Sequence, residues 1–132
     1  MKDIIKIKFS ELRNELYTIE LLPKRQTTFS LLLHKSKFVE SLLQLMFLFD
    51  GNPYPYKKWL GSLYLTTNYS KGNEASILRW YESINVAITP LELAKSAKTA
   101  YIEFVLKLME CDIFHESKYF QYESTYYYGY LR

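Results

Sequence analysis

Apolar residues recur every three or four positions across residues 27–49, and this spacing constrains the fold more than any other feature of the chain. The recurring residues are Phe29, Leu32, Leu33, Val39, Leu42, Leu43, Met46 and Phe47. Side chains at this spacing lie on one face of an α-helix. From Leu42 onward they spread around the helix, which indicates a buried second half. The sequence therefore predicts a core helix over 27–49 that ends at Asp50-Gly51, where Gly51 can adopt a left-handed conformation.

The same spacing predicts four further helices between the clusters of Gly and Pro. They are expected over 9–22, over 55–69, over 74–86 and from Pro90 to Met109. The residues that set these limits are Ser10 and Asn73 as N-caps, Pro23 as a stop and Pro55 in a first turn.

The clearest start signal is the sequence ITPLEL at 88–93. Thr89 is expected to cap the helix, and Glu92 to complete a capping box with it. Pro90 takes the first helical position, where its missing N–H costs nothing. Ile88 is expected to pack on Leu93 as a hydrophobic staple.

Short connections between sequential helices favour antiparallel neighbours. The predicted fold is therefore all-α: an up-and-down antiparallel bundle of four to five helices, in one domain over 1–132. Residues 113–132 hold many aromatic side chains without helical spacing and are expected to form an aromatic C-terminal arm, with a strand over 119–128 as the alternative. The core is expected over 39–49 and 97–109. The side chains predicted to be buried are Leu43, Met46, Phe47, Trp59, Tyr101, Phe104 and Leu108.

Composition excludes several classes of protein. The charged fraction of 23% is too low for a disordered chain. The net charge of +3 comes from scattered Lys and Arg residues, so no nucleic-acid partner is required. The single cysteine, Cys111, excludes an intramolecular disulfide framework. The N-terminal residues do not form a signal peptide, and the longest near-apolar run, 42–49, is too short to span a bilayer. We therefore expect a cytoplasmic protein that does not contact a membrane.

Catalytic motifs are absent from the sequence. Nucleotidyltransferases of the polymerase-β type need a Gly-Ser turn followed by paired carboxylates that hold Mg²⁺. Gly61-Ser62 is present, but the next carboxylate is Glu74. A helical nuclease of the HEPN type needs an Arg five to seven residues before a His, whereas His34 follows Arg25 by nine residues. No enzymatic activity of the chain alone and no cofactor are expected.

Four residues after the fifth helix have the side chains of metal ligands. If that helix continues, Cys111 faces His115 and Asp112 faces Glu116. The two pairs lie on different faces, and no further ligand is indicated. The sequence therefore predicts no metal site.

The segment KFVESLLQLMFLFDGNPYPYKKWL, residues 37–60, resembles the helical C-terminal domain of nucleotidyltransferase-related proteins. This group is related to kanamycin nucleotidyltransferase and, more broadly, to HEPN domains. The matching residues are Phe38, Glu40, Phe47, Asn52, Pro55, Lys58, Trp59 and Leu60. The likeness covers about 25 residues closely and the remainder only in helix order. The nucleotidyltransferase half of such proteins does not occur in this chain.

This resemblance implies a non-catalytic helical module that binds a nucleotidyltransferase domain on a separate chain, its nucleotide substrate, or both. The residues expected at the ligand site are Asn52, Tyr54, Tyr56, Lys57 and Lys58. Lys58 can reach a phosphate at a helix N-terminus, while Tyr54, Tyr56 or Trp59 can stack on a base or sugar. The competing interpretation is structural: a connection between helices in which Asn52 caps backbone groups.

Two other functions remain open from the sequence. The first is a stand-alone HEPN-like protein that binds a nucleotide or RNA without cleaving it, alone or as a homodimer. The second is a structural interaction protein that uses the tyrosines at 126–130 as its contact surface.

Overall fold

The computed structural model of the chain describes residues 2–25 and 27–110, and all regular structure within these ranges is helical. The helices are α1 (Lys2–Glu20), α2 (Thr28–Phe49), α3 (Lys57–Leu63), α4 (Glu74–Val86) and α5 (Pro90–Glu110), with a 3₁₀ turn, Tyr64–Thr66, directly after α3. The prediction of an all-α chain with five helices is confirmed for the described ranges. The predicted aromatic arm and the alternative strand at 119–128 lie outside them.

The core forms where α1, α2 and α5 pack together, with α4 on α5. The fully buried residues come from all three central helices and include Phe9, Leu12, Phe38, Leu45, Leu93 and Ala97. Five of the residues that the sequence places in the core are buried: Met46, Phe47, Tyr101, Phe104 and Leu108.

Aromatic rings around Phe104 join α5 to the rest of the chain. The ring centroid of Phe104 lies 4.8 Å from that of Tyr69 and 6.4 Å from those of Phe49 and Trp80. The Trp80 indole N–H also donates to a carboxylate oxygen of Glu103. Tilted and edge contacts of this kind add stability beyond burial alone. This cluster therefore fixes α4 and the residues before it against α5.

Two predicted burial positions are wrong. Trp59 is 51% exposed, and Leu43 is only partly buried. The short helix α3 rests on α2 through Leu60, which is buried. Because neighbouring residues on a helix point about 100° apart, the Trp59 ring is turned away from that contact. Leu43 lies on the side of α2 that faces the space between α3 and α4.

Two helix starts also differ from the prediction. Ser10 lies inside α1, where its hydroxyl accepts from Arg13 at 3.2 Å. The helix starts earlier because no breaker precedes Ser10 and because Ile5 already packs against the core. Pro55 lies before α3, whose N-cap is Tyr56.

The third helix is shorter than predicted because its last residues form other hydrogen bonds. The Thr66 hydroxyl donates to the Leu63 carbonyl and the Thr67 hydroxyl to the Tyr64 carbonyl, both at 2.7 Å. Hydroxyl groups that bond to the nearby backbone compete with continuation of the helix.

The start of α5 has the predicted Thr89 cap, but Glu92 bonds to the N–H of Ile88 and not to that of Thr89, so the capping box is shifted by one residue. The Glu92 backbone N–H donates to the Thr89 hydroxyl oxygen at 3.2 Å, and the Glu92 carboxylate accepts from the Ile88 N–H at 2.8 Å. The predicted staple is wrong, because Ile88 is exposed. Asn73 is at the N-cap position of α4, but its side chain donates to the Tyr69 carbonyl instead of accepting from the helix.

Gly51 ends α2 in the predicted left-handed conformation, with φ of +78°. Its N–H donates to the Leu48 carbonyl and the Asn52 N–H to the Phe47 carbonyl, which is the Schellman pattern. We expect Gly51→Ala to lower the free energy of unfolding by about 1–2 kcal/mol, because only glycine adopts this conformation without strain. No atom lies within 4 Å of the added methyl, so strain alone accounts for the loss.

The matched control is Gly61→Ala within α3, where the added methyl also meets open space. There we expect a gain of about 0.4–1 kcal/mol. Urea unfolding followed by circular dichroism measures both variants. If both substitutions changed the free energy of unfolding by the same amount and in the same direction, the left-handed conformation of Gly51 would not be the cause of the loss.

No helix in the described ranges combines the length and apolar character needed to cross a bilayer.

Candidate functional site

An open apolar groove lies where α3 and α4 both pack on α2. Two adjoining cavities of about 340 and 350 Å³ form it, and they share Val39, Leu43, Gly61, Tyr81 and Ile84. The floor is α2, from Leu32 to Met46; one wall is α3 with Tyr64, and the other wall is α4 from Ile77 to Asn85. We call this surface the α2–α3–α4 groove.

The groove stays open because the two walls have little direct contact. Gly61 contributes no side chain to the α3 wall, and the space beside it is empty. The helix α3 has only seven residues, so it covers little of α2. The side of α2 between the walls therefore remains accessible.

Large apolar side chains in this groove are exposed. Tyr81 is 53% exposed, and Leu32 and Leu78 are exposed to a similar extent. On the same face of α2, one turn closer to its start, Phe29 is also exposed. Continuous apolar surface of this kind is typical of a contact site.

Polar contacts line the rim of the groove. Lys57 on α3 lies 3.5 Å from the Glu40 carboxylate on α2. Lys35 on α2 donates to the carbonyl oxygens of Asn85 and Ala87 at the end of α4. A lysine in this position satisfies terminal carbonyls and complements the negative end of the helix dipole. Lys35 therefore holds the α4 wall on the α2 floor.

The structure does not bring the five predicted ligand residues together. Of these five, Lys57 lines the groove, whereas Asn52, Tyr54, Tyr56 and Lys58 line neither of its cavities. The Lys58 ammonium lies 5.0 Å from the centre of the Trp59 ring. Tyr54 faces α1, where the Lys8 ammonium lies 5.1 Å from its ring centre. The Asn52 backbone N–H donates to the Phe47 carbonyl at the end of α2.

The pKa of Lys8 is raised. Burial lowers this pKa, but the hydrogen bond and charge of Glu11, followed by the contact with Tyr54, outweigh that effect. Because the pKa is higher in the folded state, the charged Lys8 side chain contributes fully to stability at neutral pH. This contribution is lost as the pH rises through the raised pKa of Lys8. The contact between Lys8 and Tyr54 therefore joins α1 to the turn between α2 and α3.

We expect Lys58→Ala to leave the melting temperature nearly unchanged, because the side chain is exposed and surface substitutions change stability by less than about 0.5 kcal/mol. If this turn binds a nucleotide, Lys58→Ala should also lose affinity for ATP. The control is Lys71→Ala, which removes another exposed lysine. Calorimetric titration with ATP measures the difference. Equal binding by both variants, or no binding by the wild type, would exclude Lys58 as a phosphate ligand.

A second polar cluster joins α1 to α2. The Glu15 side chain is buried, and its carboxylate lies 2.7 Å from His34 Nδ1 and 3.8 Å from the Lys37 ammonium. This cluster was not predicted from the sequence, although a glutamate between the apolar residues Leu12 and Leu16 is a usable signal. Neither Glu15 nor His34 lines the groove. We assign this cluster to helix packing.

No group of three or more candidate metal ligands occurs in residues 2–25 and 27–110. The candidate ligands Cys111, Asp112, His115 and Glu116 lie outside the described residues.

Comparison of the chain with protein-family models, with curated proteins and with solved structures gives no match. The resemblance of residues 37–60 to nucleotidyltransferase-related helical domains therefore remains a hypothesis that the sequence alone supports.

Proposed function

We propose that this chain is a non-catalytic helical module that binds a protein partner through the α2–α3–α4 groove. The observation that carries the proposal is the exposure of Leu32, Leu78 and Tyr81 around an apolar floor. Grooves between helices accept the apolar face of another helix or an extended segment. In this proposal the helices form an up-and-down bundle in the cytoplasm.

The partner that we propose is a nucleotidyltransferase domain on a separate chain. The segment that resembles nucleotidyltransferase-related proteins, 37–60, supplies most of the groove floor and part of the α3 wall. The resemblance and the groove are independent observations on the same part of the chain. Both favour a role for this segment in contacting the partner.

The size of the groove is adequate for specific binding. Burial of one Leu-sized or Phe-sized side chain contributes about 1.5–3 kcal/mol. A micromolar dissociation constant requires about 8 kcal/mol, after the cost of association has been met. Several partner side chains in the groove are therefore needed, and the two adjoining cavities provide space for them.

The second candidate is binding of single-stranded RNA or a nucleotide at the α2–α3 turn. The exposure of Tyr56 and Trp59 beside Lys57 and Lys58 favours it, because exposed rings stack on bases and cations contact phosphates. We rank it second because, of these four side chains, Lys57 alone lines a cavity of the groove.

The experiment is a calorimetric titration of the chain with a separately expressed nucleotidyltransferase domain. We expect Tyr81→Lys to weaken binding by about tenfold or more, because an unpaired ammonium would be buried in the complex. Tyr17→Lys on α1 is the control, since Tyr17 is 55% exposed and Tyr81 is 53% exposed. If the two variants bound with equal affinity, the groove would not be the binding site. If the wild-type chain did not bind, the partner would not be a nucleotidyltransferase domain.

A further inference from the structure

We propose that one end of the molecule adsorbs to an anionic membrane surface. This is the end at which α1 and α4 finish and α2 and α5 begin. The inference goes beyond the proposed function, because the exposed apolar side chains of this end line neither cavity of the α2–α3–α4 groove.

Four helix termini meet at this end. A cavity of about 500 Å³ lies between Leu22, just after α1, and Leu91 in the first turn of α5. Lys35, in the first half of α2, donates to the last carbonyl oxygens of α4. The short connections 21–27 and 87–89 close the arrangement by joining α1 to α2 and α4 to α5. The four termini therefore form one continuous surface.

This surface carries the most prominent apolar side chains of the part of the chain that the structure describes. Seven large apolar side chains there are at least 65% exposed, and six of them lie at this end. The six, which we call the apolar end, are Leu21, Phe29, Leu33, Val86, Ile88 and Leu91. The seventh is Tyr56, before α3. A cluster of apolar side chains this exposed is typical of a contact site.

Backbone groups at the apolar end are bonded within the chain. The Ile88 N–H donates to the Glu92 carboxylate at 2.8 Å, and the Ser30 N–H donates to the Thr27 hydroxyl oxygen at 3.1 Å. Lys35 satisfies carbonyl oxygens at the end of α4. Backbone groups without partners are costly in apolar surroundings. These bonds therefore lower the cost of moving this end into the boundary between lipid headgroups and acyl chains.

The charge at this end suits an anionic surface. Three basic and two acidic side chains lie in residues 20–35 and 86–92: Lys24, Arg25, Lys35, Glu20 and Glu92. Lys24 and Arg25 are exposed and follow Leu21 closely in the chain. A basic side chain near an anionic bilayer strengthens binding by about fivefold. Basic and apolar side chains together supply the two contributions that stable adsorption needs.

The shape of the apolar end favours a bilayer over a protein partner. Its side chains project from four helix termini and the two connections between them. A protein partner would need a matching recess for each of them, whereas a fluid interface adapts to any arrangement. Amphipathic surfaces of this kind enter the interface by about 5–10 Å.

This proposal departs from the expectation of no membrane contact. That expectation depends on the absence of a long apolar run and of a signal peptide from the sequence. Adsorption to a surface requires neither feature. The apolar end consists of residues from separate segments that share a surface only in the folded chain, so no local pattern predicts it.

The test is co-sedimentation of the full chain with vesicles of phosphatidylcholine alone and of equimolar phosphatidylcholine and phosphatidylglycerol. We expect the wild-type chain to bind the anionic vesicles about tenfold more tightly than the neutral ones. The double variant Ile88→Ser, Leu91→Ser is expected to lose about tenfold in affinity for the anionic vesicles, because it removes two apolar side chains from the interface. Lys24→Ala with Arg25→Ala is expected to lose a similar factor on anionic vesicles only.

The matched control is the double variant Ile7→Ser, Leu65→Ser. Ile7 is 59% exposed and Leu65 is 51% exposed, and both lie away from the apolar end. Ile7 precedes Lys8, which contacts Tyr54 beyond the end of α2, and Leu65 follows α3. We expect this control to bind the anionic vesicles as the wild type does. Circular dichroism verifies that all variants are folded.

The outcomes separate the proposal from its rivals. Loss of binding at Ile88 and Leu91, with retention in the control, supports it. No binding by the wild type, equal binding to both kinds of vesicle, or equal losses in the two serine variants would overturn it. Light scattering without vesicles gives the remaining outcome: self-association that Ile88→Ser, Leu91→Ser abolishes, with no vesicle binding, would show that a second copy covers this end and would also overturn it.

Discussion

Phe104→Ala is expected to lower the free energy of unfolding by about 3–5 kcal/mol. The side chain has no exposed area, and it contacts the rings of Phe49, Tyr69 and Trp80. Its removal leaves a cavity and ends three ring contacts in one step. Domains are stable by only about 5–15 kcal/mol, so this variant has a much lower midpoint of urea unfolding.

Phe29→Ala is the matched control, because the same atoms are removed from a side chain that is 78% exposed. A change below about 0.5 kcal/mol is expected there. Losses of similar size in the two variants would show that the core is not centred on Phe104.

Trp80→Ala is expected to cost about 3–5 kcal/mol. Trp80 is buried, contacts Tyr69 and Phe104, and donates its indole N–H to Glu103. Substitution removes the ring contacts and leaves the Glu103 carboxylate with one donor fewer. Thermal unfolding by circular dichroism and urea unfolding both measure the loss.

The other tryptophan tests the position of α3. Trp59→Ala is expected to change stability far less than Trp80→Ala, because Trp59 is 51% exposed and α3 rests on α2 through Leu60. The sequence pattern predicts the opposite, with Trp59 in the core. A loss of several kcal/mol at Trp59 would contradict the placement of this ring.

The spacing of apolar residues was sufficient to predict the helices but not all of their contacts. The limits of α2 and α4 agree with the prediction within one residue, because Thr27, Gly51 and the residues around Asn73 and Val86 break the helices locally. The sequence also predicts the Thr89 cap of α5 and the return bond from Glu92 to within one residue, since these hydrogen bonds lie within five residues. Helix caps and stops formed by residues that are close in sequence depend little on tertiary structure.

Contacts between helices set the features that the sequence did not predict. Trp59, Phe29 and Leu33 have the spacing of core residues, but no described helix covers them. Periodicity gives the residues on a face and not the element that packs on it. The groove and the bond between Glu15 and His34 depend on separate helices, so neither follows from a local pattern.

The measurement that tests the central claim most directly is the mapping of amide chemical shifts in the isotope-labelled chain during titration with the nucleotidyltransferase domain. We predict that the shifts concentrate at Val39, Gly61, Leu78 and Tyr81, the residues of the α2–α3–α4 groove. Shifts centred on the turn at 52–58 or on the outward side of α1, or an unchanged spectrum, would contradict the account.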